Sequence, residues 1–483
     1  MKVHLSAVAG TAMASLAGLL REKGHEVTGS DQDIYPPMST QLEKLGITVR
    51  SPYSESNVPE DADLVVIGNA LSRGNPEVEI VLDRRQPMTS MPALLASEFL
   101  NGRSSLVIAG THGKTTTTSM LAFILHRAGV DPSFLIGGVP PDFERSYHLG
   151  GGRHFVVEGD EYDCAFFDKR PKFVHYQPDV AVIGNIEYDH ADIYPDLASV
   201  QKAFVHLLNL VPRRGVVVAG LETPALREIL PRAHCPVETF GLGVEADWRA
   251  VDVRPAGEGW RFGLLRKGRD AGEFSLRMHG EHNLRNALAA LAAANAAGVE
   301  PDRARDALAS FAGVKRRLEV RGEARGVVVY DDFAHHPTAV RETLRALRAL
   351  AGHDQPTGRV IAVFEPRSYT SRTRVFQEEF ARSFQAADKV IVASAYLPVK
   401  VPEAQRISEG ELVRAIAELG RDARHIPTVD EIVAQLAQEL REGDRVVILS
   451  NGGFGGIHDK LLQALRAGEG AAARRDLERP QSV

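Results

Sequence analysis

The alternation of apolar and polar positions divides this chain into three blocks that share one order of elements. In each block, short apolar runs are followed by glycine-containing turns and then by longer helical stretches, which predicts strand, turn and helix in repetition. The first block runs from Met1 to about Glu98. Its predicted strands are Val3–Val8, Glu26–Gly29 and Leu64–Gly68.

The second block starts near Leu106 and the third near Lys315. A polar, strand-rich stretch from Trp248 to Met278 comes late in the second block, and an alanine-rich helix, Asn283–Ala297, follows it. Because strands alternate with helices, each block predicts a parallel sheet covered by helices. The further predicted strands are Phe155–Glu158, Val180–Gly184, Gly215–Ala219, Val327–Tyr330, Val360–Phe364, Val390–Ala393 and Arg445–Leu449.

This pattern predicts an α/β protein of three domains, in line with the two to four domains expected at roughly 100–200 residues each. We expect a Rossmann-like N-terminal domain over residues 1–98, a central domain with a parallel sheet of the P-loop ATPase type over residues 99–314, and a Rossmann-like C-terminal domain over residues 315–483. Ligands of such sheets bind at the carboxyl ends of the strands, where the loops converge.

Composition narrows the class of protein. The chain has 483 residues, of which 44% are hydrophobic and 25% charged, as in soluble globular proteins. Its net charge of −6 provides no basic field, so we expect neither nucleic acid nor membrane as a partner. Two cysteines suit a reducing compartment, and polar residues interrupt the apolar start of the chain, which speaks against a signal peptide. We therefore expect a cytoplasmic protein, a monomer or a weak homo-oligomer.

The stretch from Ala109 to Thr116 is the strongest chemical signal. It joins a predicted strand to a predicted helix, an arrangement that points backbone N–H groups at one spot and favours phosphate. Lys114 adds a cation for the phosphates, and the Thr115 hydroxyl can hold Mg²⁺. The loop is a variant, since the general P-loop pattern would have its first glycine at Ile108; the alternative is an ordinary turn with a surface lysine. The predicted ATP-binding residues here are Gly110, Thr111, His112, Gly113, Lys114, Thr115 and Thr116.

Two further predicted strands end in polar residues. Glu158 closes the strand Phe155–Glu158, where a nucleotide enzyme needs an anion to hold Mg²⁺ near the phosphates. His190 follows the strand Val180–Gly184 and can coordinate a metal or orient a carboxylate. The alternatives are a solvated acidic turn for Glu158 and a structural role for His190.

Two polar residues lie at the start of the alanine-rich helix, and a third lies at the junction with the third block. Asn283 and Asn286 share one helix face, and two amides at a helix start can grip a purine edge; the alternative is an N-cap plus a surface amide. Arg317 lies in the basic run 315–317, which can bring a cation onto a transferring phosphoryl group or can simply be a solvated face.

Candidate ribose and substrate ligands lie in the outer blocks. Asp332 follows the strand Val327–Tyr330, and its stretch, which includes His335, can form a metal site or bind a ribose; we favour the ribose. Asp31 ends the second strand of the first block and is a candidate to bind a ribose or a diphosphonucleoside. Arg367 can grip a carboxylate through two parallel hydrogen bonds.

Two other function classes remain open on these residues. A nicotinamide-dependent oxidoreductase would suit the βαβ start, but residues 7–12 do not carry G-x-G-x-x-G. The second class is a nucleotide-switch module, which would bind ATP without coupling it to synthesis. Release of ADP that depends on a second substrate would exclude this class.

With these motifs in order, nearly the whole chain resembles the Mur ligases, the ATP-dependent amide-bond formers of peptidoglycan metabolism. Residues 109–116 resemble that family's phosphate loop, and the further matching positions follow in its order: Glu158, His190, Asn283, Asn286, Arg317 and Asp332. Residues 35–40, 161–170 and 450–458 resemble the branch that joins a preformed tripeptide to UDP-N-acetylmuramate in murein recycling. Residues 365–374 resemble in part the branch that adds L-alanine alone, so the amine stays open.

The resemblance implies a reaction and roles. The lactyl carboxylate of UDP-N-acetylmuramate would attack the γ-phosphorus of ATP, and the α-amine of L-Ala-γ-D-Glu-meso-diaminopimelate, a wall-derived peptide, would attack the resulting acyl phosphate. Lys114 and Arg317 would supply cations, while Thr115, Glu158 and His190 would position Mg²⁺. The remaining assignments are adenine for Asn283 and Asn286, ATP ribose for Asp332, the nucleotide sugar for Asp31 and Ser72, and the peptide for the third block with His335 and Arg367.

Overall fold

The computed structural model describes residues 1–32, 34–257, 259–354, 358–396 and 401–477, with the backbone alone for 352–354 and 469–477. By their contacts these residues form two compact units. The first comprises residues 1–189, 193–278 and 282–314. The second comprises residues 190–192, 279–281 and the chain from Lys315 onward.

A five-stranded parallel sheet opens the first unit. Its strand order is β3-β2-β1-β4-β5, as in a Rossmann-like half. The first strand is shorter than the predicted Val3–Val8, because the backbone turns at Ala7 into the left-handed region, with φ of 69°. The strands are β1 Lys2–Ser6, β2 Glu26–Ser30, β3 Val49–Arg50, β4 Leu64–Ile67 and β5 Met88–Ser90, and the helices are α1 Thr11–Glu22, α2 Met38–Lys44, α3 Pro76–Asp83 and α4 Met91–Leu95.

The central sheet of the first unit is formed by β6 Ser104–Ala109, β7 Ser133–Leu135, β8 Tyr147–His148, β9 His154–Gly159, β12 Val180–Ile183, β13 Val216–Gly220, β14 Val237–Gly241, β15 Trp248–Ala256, β16 Gly259–Arg266 and β17 Arg269–Leu276. Its order is β17-β16-β15-β14-β13-β12-β6-β9-β7-β8. A separate hairpin pairs β10 Asp163–Ala165 with β11 Asp168–Pro171. The helices are α5 Lys114–Arg127, α6 Leu197–Leu210, α7 Pro224–Ile229, α8 Glu281–Ala296 and α9 Pro301–Ser310.

The second unit contains a six-stranded sheet in the order β18-β19-β23-β20-β21-β22. Only the edge strand β18 runs antiparallel to its neighbour. The strands are β18 Glu319–Ala324, β19 Val327–Asp332, β20 Val360–Phe364, β21 Lys389–Val392, β22 Asp422–His425 and β23 Arg445–Leu449, and the helices are α10 Pro337–Asp354, α11 Gln377–Ser383, α12 Glu409–Glu418, α13 Val429–Glu439 and α14 Ile457–Leu477.

The loop after β6 lies between two buried elements of the central sheet's core. Strand β6 is an apolar run buried on both faces, as parallel central strands are. Helix α5 is buried from Thr115 to Leu125, and the alanines of α8 from Ala287 to Ala294 are buried as well. In the register of β6 with its neighbours, Ala109 pairs with Ile183 of β12 and with Gly159 of β9. Three strands therefore end at one edge of the sheet, beside the loop that begins at Gly110.

Among the helices of the described residues, none has both the length and the apolar character that crossing a membrane requires.

Candidate active site

The predicted phosphate loop is a tight turn packed against two neighbouring elements. Gly110 has φ of 132° and Gly113 φ of 82°, a region that suits glycine. A Cβ atom at Gly113 would overlap the side-chain oxygen of Asn286, and one at Gly110 would lie 3.1 Å from the backbone nitrogen of Asn185. The glycines therefore permit both the turn and its close approach to α8 and to the end of β12.

Lys114 is the first residue of α5, and its ammonium folds back onto its own loop. The Nζ atom lies 2.8 Å from the carbonyl oxygen of Gly110, 3.4 Å from that of Thr111 and 2.7 Å from Oε2 of Glu161. The Lys114 side chain is 14% exposed and that of Glu161 only 2%. Burial by itself lowers the pKa of Lys114, but nearby carboxylates, chiefly Glu161, outweigh it and hold the pKa above its ordinary value. A charged ammonium is thus kept at the helix N-terminus.

The next residue, Thr115, meets the other predicted carboxylate. Its hydroxyl donates to Oε2 of Glu158 at 3.1 Å, and the other carboxylate oxygen accepts the backbone N–H of Gly137. A hydroxyl and a carboxylate are hard oxygen donors of the kind that Mg²⁺ takes together with phosphate oxygens. This pair fits the predicted metal role of Thr115 and Glu158.

The end of β12 clamps the loop from its other side. The amide of Thr111 donates to the Asn185 carbonyl at 3.1 Å, and the amide of His112 donates to the Asn185 side chain at 2.8 Å. The amide of Glu187 donates to the Thr111 hydroxyl at 2.9 Å, and the Glu187 carboxylate lies 3.3 Å from Nε2 of His112. Of the predicted ATP-binding residues in the loop, Thr111 and His112 therefore bond to Asn185 and Glu187 in the structure. Their predicted contact with ATP stays a prediction.

The two asparagines predicted to share a helix face do so beside the loop. Asn286 Nδ2 donates to Oδ1 of Asn283 at 3.1 Å, and the Thr117 hydroxyl donates to Oδ1 of Asn286 at 3.2 Å. Helix α8 begins at Glu281, so the alternative in which Asn283 caps the helix is wrong. The pair lies against the first turn of α5, where a nucleotide on the loop would be close; its contact with adenine stays a prediction.

His190 lies in a short segment, 190–192, that groups with the second unit. Its backbone is left-handed, with φ of 55°, which is uncommon for a residue with a side chain. Its predicted role as a metal ligand stays a prediction.

Within the second unit, Asp332 and Arg317 lie near the end of β19. The Asp332 carboxylate accepts the amides of Leu318 and Ala334 at 2.7 and 2.8 Å. Burial raises its pKa, and the Arg317 guanidinium opposes that change. The Arg317 guanidinium lies 5.1 Å from the centre of the Phe333 ring. The structure thus brings these two predicted residues together, while the ribose and phosphoryl roles stay predictions.

His335 and Arg367 follow two strands of the same sheet. Nδ1 of His335 lies 2.9 Å from the carbonyl oxygen of Phe333. Arg367 comes after β20, stacks on Tyr396 with 3.6 Å from Cζ to the ring centre, and lies 3.7 Å from the Glu365 carboxylate. The Tyr396 ring and the Glu365 carboxylate therefore hold the Arg367 guanidinium in a defined orientation, which a residue that binds a ligand needs. Its contact with substrate stays a prediction.

The first sheet offers a second loop at its carboxyl edge. The amides of Ala7 and Val8 donate to the Ser30 carbonyl at 2.9 and 3.0 Å, and that of Ala9 donates to Asp31 Oδ2 at 2.8 Å. Asp31 Oδ1 also accepts the Tyr53 hydroxyl at 3.0 Å. Asp31 therefore organises this loop in the structure, and its predicted contact with the nucleotide sugar stays a prediction, as does that of Ser72, which is exposed.

Three residues of the central site had no role in the sequence prediction: Glu161, Asn185 and Glu187. Asn185 and Glu187 come directly after the predicted strand Val180–Gly184, so their position at a strand end was a usable signal. Glu161 lies three residues beyond Glu158, and only the path of the turn after β9 brings it to Lys114. The assembled site can neutralise phosphate with Lys114 and hold a divalent cation at Thr115 and Glu158.

Comparison with known families matches most of the chain in three consecutive segments. Residues 2–101 match the Mur ligase family, catalytic domain, and residues 108–294 match the Mur ligase middle domain. Residues 316–452 match the Mur ligase, glutamate ligase domain.

Individual relatives span nearly the full length. The UDP-N-acetylmuramate--L-alanyl-gamma-D-glutamyl-meso-2,6-diaminoheptandioate ligase of Escherichia coli K12 is 45% identical, covering 96% of this chain and 98% of the relative. The enzyme of the same name from Haemophilus influenzae is 39% identical over 96% and 99%. A UDP-N-acetylmuramate--L-alanine ligase of Myxococcus xanthus is 36% identical over 96% and 95%. The crystal structure of a murein peptide ligase from Psychrobacter arcticus has a TM-score of 0.74 and 38% identity, covering 96% of this chain and 99% of that one.

Proposed function

Because this chain belongs to the Mur ligase family, we propose that it is an ATP-dependent ligase that joins L-Ala-γ-D-Glu-meso-diaminopimelate to UDP-N-acetylmuramate. Membership of the family makes the chain a ligase that uses ATP and places it in peptidoglycan metabolism. The observation that carries the proposal at the level of chemistry is the buried ammonium of Lys114 at the head of α5.

The tripeptide is favoured over L-alanine as the amine. The two relatives named for the tripeptide share 45% and 39% of their residues with this chain, whereas the L-alanine ligase of M. xanthus shares 36%. The stretches 35–40, 161–170 and 450–458 also resemble the tripeptide branch. The alternative is the L-alanine ligase of de novo synthesis.

The first step forms an acyl phosphate. An oxygen of the lactyl carboxylate of UDP-N-acetylmuramate attacks the γ-phosphorus of ATP, the bond from that phosphorus to the β-γ bridging oxygen breaks, and ADP leaves. Two anions must approach each other, so the step needs cations at the phosphates. Lys114 supplies one in this proposal and Arg317 a second, while the N-terminus of α5 orients the phosphate chain.

The second step forms the amide. The α-amine of the tripeptide attacks the acyl carbon and loses a proton. The resulting tetrahedral intermediate then collapses, and phosphate is released. The third domain binds the peptide in this proposal, with Arg367 at a carboxylate and His335 nearby. Asn283 and Asn286 hold adenine, Asp332 holds the ribose, and Asp31 with Ser72 lie at the nucleotide sugar.

Mg²⁺ fits this site because the Thr115 hydroxyl and the Glu158 carboxylate lie side by side at the loop. Thr115 and Glu158 would hold the ion, with His190 as a further ligand, and the ion would neutralise charge on the phosphates.

Products identified by mass decide between the two amines. The protein is incubated with UDP-N-acetylmuramate, MgCl₂ and ATP, and with either the tripeptide or L-alanine. We expect a product that carries the whole tripeptide, formed in step with ADP, and little or no product with L-alanine. Efficient conversion of L-alanine with none of the tripeptide would contradict the proposal and leave the alternative.

A further inference from the structure

The surroundings of the Lys114 ammonium are already complete. An ammonium has three N–H donors, and three acceptors lie within reach: the carbonyls of Gly110 and Thr111 and the carboxylate of Glu161. Of these three acceptors only Glu161 carries a charge. In the structure, the place of a phosphate oxygen at this cation is therefore taken by a protein anion.

Glu161 is held firmly in that place. Its side chain is 2% exposed, and its main-chain carbonyl accepts the Tyr194 hydroxyl at 2.7 Å. The carboxylate next to it in sequence, Asp160, forms an ion pair with Lys172. A carboxylate so far removed from water is costly unless it is paired, so Glu161 and Lys114 stabilise each other as ions.

From this geometry we infer that Glu161 is the resting counter-ion of Lys114 and competes with nucleotide phosphate for its ammonium. When a nucleotide binds, the donors of Lys114 turn from one anion to the other, and when it leaves, Glu161 takes the ammonium back. Glu161 is thus a positioning residue that acts through Lys114. The inference rests on the proposed function, because it requires the loop to bind a nucleotide.

The competition predicts that nucleotide binding tightens when the charge of Glu161 is removed. In Glu161→Gln the amide keeps the size and an acceptor oxygen for Lys114, but the anion is gone. ADP binding to the full-length protein in MgCl₂, measured by titration calorimetry, should become on the order of tenfold tighter, within the range of couplings between contacting charged residues.

A matched control lies in the same segment. Asp163 is also a buried carboxylate paired with a lysine, Lys169, at 2.6 Å, but that lysine is not in the phosphate loop. Asp163→Asn should leave the dissociation constant of ADP within about twofold of the wild type. Tighter ADP binding in Asp163→Asn, equal to that in Glu161→Gln, would overturn the inference.

Repeating Glu161→Gln in a Lys114→Met background distinguishes competition for the ammonium from direct repulsion between the Glu161 carboxylate and phosphate. There the ammonium is gone, and only the direct repulsion between Glu161 and phosphate remains, so the gain from Glu161→Gln should shrink to about twofold or less. An equal gain in both backgrounds, or weaker ADP binding in Glu161→Gln, would overturn the inference.

Two further measurements keep the test decisive. If Glu161→Gln does not fold, Glu161→Asp replaces it: its shorter side chain loosens the grip on Lys114, so ADP binding should tighten by less than tenfold, and unchanged or weaker binding would overturn the inference. Wild-type protein is assayed in parallel for ligation and ADP binding. Failure of both in the wild type would reject the proposed function, whereas normal wild-type behaviour with an unaffected Glu161→Gln would reject only this inference.

Discussion

Two turns in the first unit share the order strand, loop, helix but differ in loop backbone and in side chains. The turn after β1 passes through the left-handed Ala7 to Gly10, carries no lysine, and gives its Ala9 amide to the carboxylate of Asp31. The turn after β6 passes through two glycines and places Lys114 at the head of its helix.

The carboxylates beside the two turns also have different partners. In the first turn a carboxylate accepts a backbone amide. Beside the second turn, Glu158 accepts from the side chain of Thr115, and Glu161 accepts from the side chain of Lys114. The backbone of a βα turn supplies amides for any anion, and the side chains decide how much negative charge it can accept. This difference supports the proposal in which the triphosphate binds at the second turn and the nucleotide sugar at the first.

The largest expected effect is that of Lys114→Ala. Without its cation the second turn becomes like the first, and substrate-dependent ADP release should fall by about 10²–10³-fold. Lys267→Ala, which removes an exposed lysine paired with Glu238, is the control and should keep wild-type activity. Circular dichroism checks that both variants are folded, and wild-type turnover in folded Lys114→Ala would remove the distinction between the turns.

Glu158→Gln tests the metal side of the second turn. The amide can still accept from Thr115, but it is a poor ligand for Mg²⁺, so the MgCl₂ concentration for half-maximal activity should rise about 10–100-fold. Activity is titrated with MgCl₂ for this variant and for Glu273→Gln, an exposed carboxylate on β17. A Mg²⁺ requirement that does not change in Glu158→Gln would mean that the cation is held elsewhere.

A buried anion beneath the first turn gives a prediction on pH. Glu77 is fully buried; burial raises its pKa, but hydrogen bonds from His4, Ser30, Ser6 and Asn57 outweigh it and lower the pKa to about 2. A pKa lowered from 4.5 stabilises the fold above pH 4.5, and this stabilisation is lost as the pH falls toward 2.

The difference in unfolding free energy between the wild type and Glu77→Gln isolates this contribution. It should be about 3 kcal/mol at pH 7 and shrink as the pH approaches 2. Urea unfolding at several pH values measures it, and a difference that is constant with pH would show that the charge of Glu77 has no part in holding the ends of β1 and β2.

The smallest expected effect is that of Asp31→Asn. The side-chain amide of this variant keeps one oxygen that can accept from either the Ala9 amide or the Tyr53 hydroxyl, but it loses the charge and the second acceptor that serve both donors in the wild type. We expect the KM for UDP-N-acetylmuramate to rise about tenfold with little change in the KM for ATP, as for the loss of a hydrogen bond to a charged group. Equal changes in both KM values would mean that the two turns do not divide the substrates as assigned.

The sequence predicted the elements well and the contacts between them less well. Apolar runs bounded by glycines located strands such as Arg445–Leu449 and Val360–Phe364 to the residue, because they are buried on both faces. The division at residues 98 and 314 stays a prediction, although three Mur ligase domains are matched in that order.

What local pattern could not give was pairing over long distances. Strands β6 and β12 were both predicted as elements, but their parallel pairing, which sets Leu106 beside Val180, joins residues far apart along the chain. In the same way Lys114, Thr115 and Glu158 were predicted from their motifs, whereas the contact of Lys114 with Glu161 depends on the turn after β9.

A crystal structure with a non-hydrolysable ATP analogue and MgCl₂ tests the central claim most directly. The account predicts the triphosphate at the loop 110–116 and the N-terminus of α5, with the Lys114 ammonium on its phosphate oxygens. A nucleotide bound elsewhere, with Lys114 still on Glu161 and no phosphate at the loop, would contradict it.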